Sequence, residues 1–126
     1  MALEIVGSPT TVSADGEIAA VDITEQIADA RGLSLPMVDF GSATSSPVGY
    51  LVFDRLTEDG GSVWEEIPGS RYYIDSSLMP SSASKPRPPW PEFGPIGRAK
   101  RIRLRMTGLS GGSFIINKVT LQPAGA

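Results

Sequence analysis

The sequence predicts an all-β protein, an antiparallel β-sandwich of jelly-roll type with one short helical turn and a long Pro-rich loop. Three observations carry that expectation. Short apolar runs alternating with a period of two recur along the chain. Turn-forming clusters separate them at roughly the 8- to 12-residue spacing of sandwiches. The 14 Gly and 11 Pro exceed what helical proteins usually carry. A chain of 126 residues forms a single domain, residues 1–126, long enough to bury roughly two-thirds of its unfolded surface.

Taken in order, Leu3 to Val6 and Thr10 to Ser13 read as short strands broken by Gly7-Ser-Pro9, and Ala14-Asp-Gly16 as a turn leading into a strand from Glu17 to Ile23. Thr24 to Gly32 is the helix-like stretch, with Thr24 as N-cap and Gly32 as the stop. Leu33 to Phe40 sets Leu33, Leu35 and Met37 against Ser34, Pro36 and Val38, and Pro36 confines it to an edge or a bulge. Gly41 to Pro47 reads as a polar loop. Val48 to Leu56 is apolar on both faces through its middle, as a central strand is. Thr57 to Ser62 is a loose hairpin connection into Val63–Ile67, and Arg71 to Asp75 is the next short strand.

Regularity stops at about residues 76–97, a Pro-rich arm or loop that holds six of the 11 prolines. A structureless loop of that length is uncommon in a compact domain and usually functional. Lys85-Pro-Arg-Pro-Pro-Trp-Pro-Glu-Phe93 is not expected to form a ladder, since prolines lack donors, but it suits a stiff extended arm. Arg87, Trp90 and Phe93 make that arm a candidate for docking on a partner; the alternative is a loop that caps one end of its own sandwich. Beyond it, Lys100 to Thr107 and Phe114 to Leu121 read as a β-hairpin joined by Gly108-Leu-Ser-Gly-Gly-Ser113. Ile102, Leu104 and Met106 then face one way, and Arg101, Arg103 and Arg105 the other.

The chain has no Cys and no His, which removes disulfides, thiolate chemistry and the commonest general base and transition-metal ligand. No apolar run approaches the ~20 residues of a membrane helix, and the N-terminus lacks a basic segment followed by an apolar one. Neither a membrane protein nor a classically secreted one is expected.

The net charge of −3 hides an asymmetry. Residues 1–80 hold 13 of the 14 acids against three arginines, a net of −10, whereas residues 81–126 hold eight bases against Glu92, a net of +7. Either the two ends pair across strands of one sheet, or the basic strand docks on an acidic patch of a neighbour, with Arg101, Arg103 and Arg105 as the binding row. Nucleic acid is disfavoured by the acidic total and by the lack of aromatics between the arginines. Glu65 and Glu66 point to opposite faces of a strand and cannot form a glycosidase pair. Asp54, Glu58, Asp59 and Asp15-Gly16 match no calcium-loop spacing. Pro86-Arg-Pro-Pro89 is a minimal P-x-x-P match, too short to be specific. Gly108 to Ser113 lacks the following helix that lets glycine loops hold phosphate. No catalytic residue, cofactor or metal ligand is assigned.

Val21-Asp-Ile-Thr24, Val48-Gly-Tyr-Leu-Val-Phe53, Glu58-Asp-Gly-Gly-Ser-Val-Trp64, Ala99-Lys-Arg-Ile-Arg-Leu-Arg-Met-Thr107 and Gly111-Gly-Ser-Phe114 together resemble small β-sandwich structural proteins of tailed bacteriophages. The Pro-rich stretch at 80–97 departs from that pattern. The resemblance implies a non-enzymatic virion protein, above all a capsid decoration or cement protein bound to neighbouring capsid subunits, or alternatively a neck or tail accessory subunit. It also implies a homo-oligomer located in the virion. A glycan-binding β-sandwich module is the reading from a different class, with Trp64, Tyr72, Tyr73 or Trp90 stacking on sugar faces.

Overall fold

The computed structural model describes residues 3–22, 33–57, 63–75, 85–86 and 99–123. All regular structure among them is strand: β1 (Leu3–Val6), β2 (Thr10–Val12), β3 (Gly16–Asp22), β4 (Leu33–Thr57), β5 (Glu65–Glu66), β6 (Tyr72–Asp75), β7 (Lys85–Pro86) and β8 (Ala99–Pro123). The helical turn expected at Thr24–Gly32 lies outside the described residues.

One antiparallel sheet is organised around β4 and β8, which pair from Leu33↔Pro123 to Thr57↔Ala99. On the far side of β8 lie β1, β2 and β3 in succession, each antiparallel to it. On the far side of β4 lie β5, β6 and β7.

This pairing overturns the expected hairpin. Residues 100–107 and 114–121 do not pair with each other: Leu104 lies opposite Phe53 and Phe114 opposite Ala43. They are two stretches of one strand, and Gly41–Pro47, expected as a polar loop, is the facing stretch of β4. What looked like turn chemistry lies instead in paired, irregular stretches of the two strands. The register shifts repeatedly between Phe40 and Tyr50. At its centre Ser45 (φ 64°) faces Gly112 (φ 150°), beside Gly111 (φ 83°). Paired bulges with positive φ let a ladder continue through a sharp bend. Asp15 clamps the same corner from the turn before β3: its carboxylate accepts the Gly108 and Leu109 N–H groups at 3.0 and 2.8 Å. Because Asp15 is exposed and water can partly replace it, Asp15→Ala should cost about 1 kcal/mol in a urea unfolding measurement.

Three smaller expectations also change. In the first part of β4, Pro36, Val38 and Phe40 are buried, so the even residues face inward rather than the odd ones. A register shift between Leu33 and Leu35 precedes them. Pro36 itself has β8 on one side and no described strand on the other. Lys85–Pro86, expected outside any ladder, pairs with Asp39–Phe40. Two residues at a sheet edge need few donors, which makes Pro86 tolerable there. The strands expected at 63–67 and 71–75 shrink to β5 and β6. Between them Ser70 is fully buried and serves as a ladder partner: its Oγ accepts the Phe53 N–H at 3.2 Å and donates to the Phe53 carbonyl at 3.0 Å.

The core follows the alternation. Ile102, Leu104 and Met106 from one part of β8 and Phe114, Ile116, Val119 and Leu121 from the other join Phe40, Leu51 and Phe53 of β4 in one buried cluster. Phe40 and Phe114 meet edge to face, with centroids 6.0 Å apart.

Candidate functional site

The arginine row lies on the opposite face of β8 from this core, as the alternation predicts. Its surroundings follow from register: β3 places Asp22, Ala20 and Glu17 opposite Arg101, Arg103 and Arg105, while β4 places Leu56, Asp54 and Val52 there. Beyond β4, Glu66 of β5 lies opposite Asp54.

Asp54 is the hub. Only 2% exposed, it accepts hydrogen bonds at 2.7 Å from both Arg103 Nε and Arg105 Nε, and a third at 3.2 Å from Arg105 Nη2. A carboxylate sealed from water needs this degree of compensation. Burial pushes the Asp54 carboxyl up, but the hydrogen bonds from Arg105 and Arg103, with the charges behind them, outweigh burial and hold it below the ordinary carboxylate value. The same hydrogen bond raises Arg105 against the opposing effect of burial, helped by the charges of Asp54 and Glu66.

From this hub the interactions run outward in both directions. Arg103 reaches Glu17 at 3.8 Å, and Arg105 reaches Glu66 at 3.6 Å. Glu66 in turn accepts two hydrogen bonds of 3.0 Å from Arg71, whose guanidinium lies 5.9 Å from the centre of the Tyr50 ring. Trp64, just ahead of β5, lays its ring 4.5 Å from the Arg103 guanidinium carbon and 5.6 Å from that of Arg101, within cation–π range. Arg101 meets Asp22 at 2.8 Å, an ion pair whose angle falls short of a hydrogen bond. Glu65 turns away to Arg55, at 3.8 Å.

The three arginines are therefore committed to acids and an indole of their own chain. Of the two readings of the charge asymmetry, cross-strand pairing within one sheet is the one the geometry contains. The layer is also a lid, since Val52, on the same face as Asp54, is fully buried. The sign of the Asp54 shift fixes a pH dependence. A carboxyl held below its unfolded pKa of about 3.9 adds stability that is complete above that value and is lost as pH falls through the folded pKa. Urea titrations should show wild-type stability dropping below about pH 4, and Asp54→Asn should flatten that drop; identical profiles for the two proteins would contradict the assignment.

Arg87, Trp90 and Phe93 lie outside the described residues. Two of the proposed sugar-stacking rings separate: Tyr72 packs against the core and Tyr73, its neighbour, points outward. Tyr73 meets Tyr50, its register partner on β4, with centroids 5.5 Å apart and planes at 67°. These rings are 51% and 42% exposed, and with Val63 they are the large apolar side chains left open to solvent among the described residues. The sequence reading missed Tyr50 and Glu66 as site residues and gave Asp54 no partner. One signal was available: an acid in the middle of an apolar strand requires a buried cation opposite, and Arg103 and Arg105 are on the strand that supplies it.

A hollow of about 230 Å³ beside β2 and β3 is lined by Thr10, Thr11, Ser13, Asp15 and Glu17, and its Asp15 is already taken by the corner of β8. Among the described residues no group of three or more acids is placed to hold a metal ion, and no helix is long and apolar enough to cross a membrane. Comparison with protein-family models, curated proteins and solved structures finds no match.

Proposed function

We propose that this chain is a non-enzymatic structural subunit of a tailed-phage virion, a capsid decoration protein that binds neighbouring capsid subunits and other copies of itself. The observation that carries the reading is spatial. Segments that resemble phage structural proteins are scattered in sequence yet lie side by side in one sheet: Val21 opposite Ile102, Phe53 opposite Leu104, and Trp64 over Arg103. They are neighbours in one sheet, with Val21, Ile102, Phe53 and Leu104 on its core side and Trp64 and Arg103 on the other.

The finer architecture in this proposal is a sandwich made by folding the β4/β8 ribbon over itself at Ser45 and Gly112. A straight 25-residue strand would extend about 80 Å, far beyond a domain of this size. Moreover, β1 and β3 pair with opposite ends of β8 yet approach each other. Folding lets each half cover the apolar face of the other.

With the arginine row neutralised internally, attachment falls mainly to the Pro-rich arm with Arg87, Trp90 and Phe93. A virion lattice multiplies such contacts, so each can be weak. The test is co-sedimentation with purified heads and, separately, tails of the phage that encodes the chain. Saturable binding to heads is expected; binding to tails alone would move the protein to the neck or tail, and binding to neither would overturn the virion reading.

A further inference from the structure

We draw no further inference here: the strongest candidate, the edge of β3 (Gly16–Asp22) turned away from β8, has no strand paired to it among the described residues, and nothing in the structure shows what covers it.

Discussion

Asp54→Ala is expected to lower the unfolding free energy by about 3 kcal/mol and the melting temperature by roughly 10 °C. The carboxylate is sealed between Arg103 and Arg105, and its removal leaves two guanidiniums on a covered face with no buried counter-charge. Breaking a fully buried pair costs about 3 to 5 kcal/mol. The lower end applies because the arginine side chains are 21% and 25% exposed and recover some hydration. Arg101→Ala is the contrasting variant. Its partner Asp22 is largely exposed, and such surface pairs contribute at most about 1 kcal/mol. Thermal melts that ranked the two variants equally would mean Asp54 is not the hub of the layer.

Gly112→Ala should be nearly as damaging, for a steric reason. A Cβ at Gly112 would overlap the Thr44 carbonyl oxygen on the facing strand, at a φ of 150° that L-residues rarely adopt. One of the two strands must move, and the corner hydrogen bonds move with it. Strain and displacement together should cost about 3 kcal/mol. Gly108→Ala separates the bent ladder from a simple hairpin loop. Gly108 also has a positive φ, 70°, but a Cβ there meets nothing within 4 Å, so the cost should stay near 1 to 2 kcal/mol. In an open loop the two glycines would tolerate alanine alike; here urea unfolding should rank Gly112→Ala well below Gly108→Ala in stability.

Period-two alternation made the all-β class legible. It located β1, β2 and β3 almost to the residue, and it assigned Ile102, Leu104 and Met106 to one face and the arginines to the other. It failed at Gly108–Ser113 for a physical reason. Glycine at positive φ serves a hairpin loop and a bulged corner equally, and local sequence does not reveal whether the following strand turns back or continues along a third one. The same ambiguity made Gly41–Pro47 look like a loop, although it is the stretch of β4 that faces those glycines. In the first part of β4 the buried positions are Pro36, Val38 and Phe40, which the set Leu33, Leu35 and Met37 did not reveal.

The candidate site was half legible. The arginine row was evident, yet its meaning depended on register: only the pairing of Arg103 with Asp54, and of Glu66 with Asp54 across the next strand, turns a basic stripe into a neutralised layer. Tyr50 was hidden because it sits inside an apolar run that reads as buried on both faces, whereas its face is open where the layer ends.

The proposed role is association through the Pro-rich arm rather than through the charged face. Gel filtration coupled to light scattering, over a concentration series of the purified protein, tests it most directly. The account predicts a mass that rises above 13.3 kDa with concentration and falls back when Trp90 and the neighbouring prolines are replaced by serine. A mass of one chain at every concentration, unchanged by those substitutions, would contradict it.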